Sequence, residues 1–177
     1  MEETLTIRPM RETDPKKLAE ELAAQGWDWR LDTLLRYFAE QQSGDRKVYV
    51  ADFDGRPVGY ATLLPQAKAG PFAGAGIPEV VDFNVLKTFQ RRGIGSAILD
   101  AIEADVAQTH DRICLGVGLY TDYGTAQRMY VKRGYLPDGS GIWYQDRLLP
   151  PYEPCRNDDD LVLYLSKDLR KETKRCR

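Results

Sequence analysis

The segment Gln90-Arg91-Arg92-Gly93-Ile94-Gly95-Ser96 carries the strongest chemical signal in this 177-residue chain. A dense apolar run precedes it and an amphipathic pattern follows, so its backbone N–H groups become the unpaired donors of a helix N-terminus. Those donors, together with the helix dipole, suit a phosphate or pyrophosphate. Gly93 and Gly95 remove Cβ atoms from the path of a ligand, and Arg91 and Arg92 add positive charge. Two common nucleotide motifs fail. A dinucleotide fingerprint needs a small residue where Ile98 stands, and the P-loop pattern is absent. On their own, these seven residues fit a ligand-free glycine-rich turn as well as a phosphate site.

Other chemistries are poorly served by the composition. His110 is the single histidine, and Cys114, Cys155 and Cys176 form no C-x-x-C pair, so neither a metal site nor a disulfide framework is predicted. Reduced thiols point to the cytoplasm. Hydrophobic residues at 42% and charged residues at 29% describe a globular chain with a real core, and the length fits one domain. The net charge of −2 gives no global cationic field for nucleic acid. Residues 167–177 hold six Lys/Arg against two Asp/Glu, a basic tail of net +4 that leaves −6 on residues 1–166. No apolar run approaches the roughly 18 residues of a membrane span, and the acidic start does not read as a signal peptide.

The elements that must position the glycine-rich turn follow from periodicity. Strands are predicted at 4–9, 47–53, 56–63, 79–86, 113–119, 141–149 and 161–167. Asp54-Gly55 joins the second and third as a two-residue hairpin. Leu18 and Leu22 mark a first helix, Leu31, Leu34, Leu35 and Phe38 a second, and Gly26 separates them. A third helix runs from about 94 to 110 with Ile94, Ala97, Ile98, Ala101 and Ile102 on one face. A fourth spans about 123–133, capped by Asp122 and stopped by Gly134. Residues 65–78, rich in Gly, Ala and Pro, read as a mobile loop. Strand-helix-strand alternation implies a βαβ crossover and a sheet that is parallel in this part.

Q-R-R-G-I-G after a strand and before an amphipathic helix resembles the Q/R-x-x-G-x-G/A motif of the GNAT superfamily of N-acetyltransferases, which cradles the pyrophosphate of acetyl-coenzyme A. Met129-Tyr130 ahead of Gly134-Tyr135 resembles that family's second signature. The resemblance covers most of the chain. It implies a mixed α/β fold: a central mixed sheet of about seven strands flanked by about four helices around a βαβ cofactor-binding core, with one acetyltransferase domain over 1–166 and the last strand end and tail at 167–177. It also implies an acyl donor, acetyl-coenzyme A, an amine acceptor, no nucleic acid or membrane partner, and leaves a homodimer open.

By the same resemblance, Gln90 through Ser96 bind the cofactor, and Phe83, Asn84 and Val85 offer main-chain groups to its pantetheine arm. Members often carry asparagine seven residues before the signature tyrosine, and here that position is Tyr123. Amine acetylation needs a base for the ammonium, donors for the tetrahedral oxyanion and a proton for the departing thiolate. Tyr130 matches the family's acid, or else fills the helix–sheet interface. Glu79 stands near where some members place a catalytic glutamate, with Asp82 as rival. Strict alternation puts 79, 81, 83 and 85 on one face and Asp82 on the other, unless a bulge intervenes. Trp27, Asp28, Trp29, Phe72, Trp143 and Tyr144 are candidates for amine recognition. Direct transfer through a ternary complex is the leading reading, and a noncatalytic acyl-coenzyme A-binding module is the alternative.

Overall fold

The computed structural model describes residues 4–171. The chain divides into two compact units, Met1–Leu64 with Val81–Asp105 and Pro65–Val80 with Val106–Arg177. Residues 172–177, which include most of the predicted basic tail and Cys176, lie outside the described residues.

The first unit is built on strands β1 (Leu5–Pro9), β2 (Lys47–Phe53), β3 (Arg56–Leu64) and most of β4 (Glu79–Val85), hydrogen-bonded in that order. Asp54 and Gly55 at φ of 51° and 83° make the β2–β3 hairpin turn that their types demanded. Asp52 tightens it by accepting the Gly55 N–H at 2.7 Å. Helices α1 (Asp14–Ala24) and α2 (Leu31–Ser43) bury Leu18, Leu22 and Leu34, and α3 (Ile94–Val106) buries Ile94, Ile98 and Ile102 at i, i+4 and i+8. Each such side chain contributes about 1.5–3 kcal/mol of transfer free energy. Gly44, at φ 83°, ends α2 in the left-handed conformation that stops a helix.

The second unit takes the first two residues of β4 and adds β5 (Arg112–Gly118), β6 (Leu136–Tyr144), β7 (Arg147–Leu148) and β8 (Leu161–Asp168), ordered β4-β5-β8-β6-β7. Glu79 and Val80 pair in parallel with Cys114 and Leu115, as the strand-helix-strand order required. The remaining ladders are antiparallel. Helix α4 (Gly124–Lys132) and the fully buried Ile113, Leu115, Tyr135 and Leu165 complete this unit.

Four expectations need correction. The segment 141–149 is not one strand: Gln145 and Asp146, at φ of 49° and 59°, fold it into the β6–β7 hairpin, which gives the described residues eight strands, in keeping with the about seven expected. Helix α3 ends at Val106, and the N–H groups of Thr109 and His110 both turn back to the Val106 carbonyl. Asp122 does not cap α4; it lies in a 3₁₀ turn, Thr121–Tyr123, and Tyr123 takes the cap position without a side-chain bond. Residues 65–78 are anchored at points, with a 3₁₀ turn at Gly70–Phe72, an Ala67 N–H to Ile77 carbonyl bond of 2.8 Å, and Phe72 buried against Ala67, Cys114 and Tyr164, while Ala73 to Gly76 are exposed.

Candidate active site

The glycine-rich turn is shaped within the first unit. Beyond β4, the Leu86 N–H bonds the Val58 carbonyl, a 3₁₀ turn follows at Lys87–Phe89, and the Gln90 amide donates back to the Val85 carbonyl at 3.0 Å. Arg91 and Gly93 are left-handed, at φ of 59° and 81°. A Cβ on Gly93 would meet nothing within 4 Å, so its requirement is conformational and the space before it is open. Ala97 donates to the Gly93 carbonyl at 2.9 Å, so the N–H groups of Ile94, Gly95 and Ser96 have no acceptor one turn back. The Ile94 side chain is in the core, leaving only its backbone for a ligand. Arg92 lies over the rings of Phe53 and Phe89 at 4.8 and 5.4 Å, which fixes its charge beside the turn. The donor set fits a phosphate group.

Asp82 sits three residues beyond Glu79 at φ 54°, so the strand kinks there and simple alternation ends. Its carboxylate accepts Arg30 Nη1 and Nη2 at 2.9 and 2.7 Å, the Tyr37 hydroxyl at 2.9 Å, the Tyr60 hydroxyl at 3.1 Å and the Asn84 amide at 2.7 Å. A carboxylate so fully engaged is a structural anchor. Asn84 thereby turns its side chain inward, while its carbonyl stands against Gly59, where a Cβ would come within 2.9 Å. Phe83, Asn84 and Val85 are all half-buried. Nothing local announced this network, since Arg30, Tyr37 and Tyr60 lie 22 to 52 residues away in sequence.

Glu79 belongs to the second unit and is only 8% exposed. Burial, and then the nearby charge of Asp146, push its carboxyl up to about 7, while the Lys68 backbone N–H opposes them. Its ladder partner Cys114 is buried, donates weakly to the Pro78 carbonyl, and has its thiol pushed up by burial and then by Glu79. Tyr130, 5% exposed, packs edge-on to Tyr135 with ring centroids 5.7 Å apart, and burial raises its phenol. Tyr123 rests its ring against Gly118, and its hydroxyl and that of Tyr120 donate to Asp159 at 2.7 and 2.6 Å. Trp143 packs edge-on to Tyr164 at 5.8 Å and donates its indole N–H to Ser140.

The candidates for amine recognition separate accordingly. Phe72 is core, and Tyr144 is half-buried on β6. In the first unit, Trp27 carries the Lys87 ammonium over its ring at 5.7 Å, and Asp28 and Trp29 are exposed, Trp29 by 59%. Trp143 lines a cavity with Asp146, Asp159 and Tyr164. Sequence reasoning did not single out Asp146, Asp159 or Tyr164, which border this cavity. The run Asp158-Asp159-Asp160 was the available signal.

Residues 44–137 match the profile of the family described as acetyltransferase (GNAT) domain. No curated protein matches the sequence. The fold is similar to that of an N-acetyltransferase from Staphylococcus aureus Mu50, at 16% identity over 94% of this chain and 99% of that one, with a TM-score of 0.68. The ribosomal-protein-S18-alanine N-acetyltransferase of Escherichia coli superposes at a TM-score of 0.66, 15% identity and 94% coverage of each chain. An aminoglycoside 6'-N-acetyltransferase complexed with coenzyme A does so at 0.66 and 16% identity, over 93% of this chain and 97% of its own.

Proposed function

The chain belongs to the GNAT acetyltransferase family, and from that premise we propose that it moves an acetyl group from acetyl-coenzyme A to a primary amine by direct transfer in a ternary complex. The observation that carries this reading is Glu79, a buried carboxyl whose proton affinity lies near neutrality, where a general base is most effective. Glu79 takes a proton from the acceptor ammonium, the freed lone pair forms the C–N bond at the acetyl carbonyl, the nitrogen gives up its second proton to solvent, and the C–S bond breaks as the tetrahedral intermediate collapses to the amide. Tyr130, held protonated by burial, gives its proton to the leaving thiolate. The N–H groups of Ile94, Gly95 and Ser96 hold the donor's pyrophosphate with Gln90, Arg91, Arg92 and Gly93, and Phe83, Asn84 and Val85 face its pantetheine. By its position ahead of the signature tyrosine, Tyr123 is assigned to the same arm, and its hydroxyl is held by Asp159.

Direct transfer is favoured over an acetyl-enzyme because the Cys114 thiol is buried and held protonated. The family match runs through residues of both units, which supports one functional domain. No helix among the described residues is long and apolar enough to cross a membrane. We place the reaction in the cytoplasm, where thiols such as the exposed Cys155 stay reduced. The deciding experiment is coenzyme A release across small amines and peptide N-termini. Release that is lost in Glu79→Gln supports the reading. Binding of acetyl-coenzyme A without transfer to any amine replaces it with a noncatalytic acyl-coenzyme A-binding module.

A further inference from the structure

We propose that Arg30 and Tyr60 are positioning residues for the acyl donor: through the Asp82 carboxylate they hold β4 in the kinked form whose backbone at Phe83, Asn84 and Val85 receives the donor's pantetheine arm. This rests on the acetyl-transfer reading, which assigns the arm to those three residues, and names what shapes them.

Asp82 is left-handed, at φ 54°, inside a strand. A non-glycine residue keeps such a conformation only where its surroundings enforce it. Arg30 bonds both oxygens of its carboxylate. The fully buried Tyr60 phenol accepts from Arg30 Nη1 at 3.0 Å and from the Asn84 amide at 3.2 Å while it donates to Asp82 at 3.1 Å. One hydroxyl therefore ties the guanidinium, the carboxylate and a residue beyond the kink. Thr62, also fully buried, holds the residue before it: its hydroxyl donates to the Val81 carbonyl and accepts from Arg46 Nη1, each at 2.7 Å. Stability alone does not explain this choice of residues. A glycine at position 82 would give the kink without strain, without Arg30 and without a carboxylate taken largely out of water.

The supports continue past the kink to the residues assigned to the donor. A Cβ on Gly59 would meet the Asn84 carbonyl at 2.9 Å and the Val85 Cα at 3.2 Å, so β3 gives this backbone a close seat. The Leu86 N–H bonds the Val58 carbonyl at 2.9 Å, and the Gln90 amide caps the Val85 carbonyl at 3.0 Å. The first residue of the pyrophosphate turn thereby closes the far end of the same segment. Pantetheine carries two amides, and main-chain groups bind them well only if their directions are set before the arm arrives. If Asp82 relaxes to the extended region, the peptide planes after it rotate and the following side chains change face, so those directions are lost. Arg30 and Tyr60 prevent that relaxation.

The test compares two ligands on the full chain by titration calorimetry: acetyl-coenzyme A, and adenosine 3′-phosphate 5′-diphosphate, which keeps the nucleotide and pyrophosphate and lacks the arm. Arg30→Met and Tyr60→Phe should each weaken acetyl-coenzyme A by about tenfold, the scale of one or two lost hydrogen bonds, and leave the fragment within about twofold. Tyr60→Phe keeps the buried ring, so it serves even if Arg30→Met unsettles the fold. Adding Asp82→Gly to Arg30→Met should restore most of the preference for acetyl-coenzyme A, because glycine adopts a positive φ without the network. Equal losses for the two ligands, or wild-type affinity for acetyl-coenzyme A in both single variants, overturn the proposal and leave acetyl transfer standing. A wild type that binds acetyl-coenzyme A no tighter than the fragment takes the arm away from residues 83–85 and overturns the proposal through its premise, with coenzyme A release from an amine deciding acetyl transfer separately.

Discussion

Arg30 and Asp82 meet across 52 residues of sequence in a two-point ion pair, Nη1 to Oδ1 at 2.9 Å and Nη2 to Oδ2 at 2.7 Å. The pair holds a non-glycine residue in the left-handed region, a conformation that costs about 1 kcal/mol or more. Arg30→Met should leave Asp82 without the charged donors it has among the described residues and destabilise the fold by about 1–3 kcal/mol, less than a fully buried pair because Arg30 is partly exposed. Chemical denaturation at neutral pH measures it. A loss below a few tenths of a kcal/mol would mean that the tyrosines and Asn84 hold the kink unaided.

The same pair marks where sequence reading stopped. The hairpin at Asp54-Gly55, the stripe Ile94, Ile98, Ile102 and the glycine-rich turn are short-range patterns, and the structure repeats them almost residue for residue. Gln145-Asp146 escaped because glutamine carries no turn signal, although both residues adopt positive φ. The kink at Asp82 escaped for a different reason. It is stabilised by side chains from α2, its N-terminal flank and β3, and long-range hydrogen bonds leave no periodicity in the strand that receives them. Glu79 was legible as a candidate, but its elevated proton affinity was not, since burial and Asp146 supply it.

The pyrophosphate turn can be tested without turnover. Acetyl-coenzyme A should raise the thermal midpoint, because a ligand that binds only the native state stabilises it by mass action. Gly93→Val should abolish the shift, since valine resists φ of 81° and the turn must distort. A variant that folds and keeps the full shift would remove this turn from the donor site.

Glu79 makes opposite predictions for rate and stability. As base, its loss in Glu79→Gln should lower kcat/KM by about 10²–10⁴ near neutral pH, and the wild-type profile should rise through about pH 7. The unfolded carboxyl titrates near 4.5, so between 4.5 and about 7 the native state binds more protons and stability falls as pH rises. Glu79→Gln should therefore gain roughly 1–3 kcal/mol over wild type at pH 8 and almost nothing at pH 4. A variant equally stable at both pH values would show that the carboxyl is not strained by burial. A profile flat from pH 5 to 9 would remove it as the base.

Asp146 should tune that base. Asp146→Asn removes a negative neighbour that raises the Glu79 carboxyl, so the rising limb of kcat/KM should move to lower pH. The direction is the test. A limb that stays in place assigns the elevation to burial alone, and one that moves upward contradicts the electrostatic account.

Tyr130→Phe separates acid from packing, because it deletes one hydroxyl and keeps the ring that stacks edge-on with Tyr135. A proton donor used as the thiolate departs should lower kcat and kcat/KM together by about 10²-fold or more. The ring's packing predicts normal rates and an unchanged thermal midpoint. A thiol of ordinary pKa, about 8.5, leaves tolerably well as thiolate, so the need for an acid grows as pH rises and bulk protons become scarce. Burial raises the Tyr130 phenol, which keeps it protonated across that range and able to donate on the basic limb. The deficit of Tyr130→Phe should consequently deepen between pH 7 and 9. Wild-type rates over that whole span, with transfer confirmed by coenzyme A release, would leave Tyr130 as a packing residue and pass the proton to solvent.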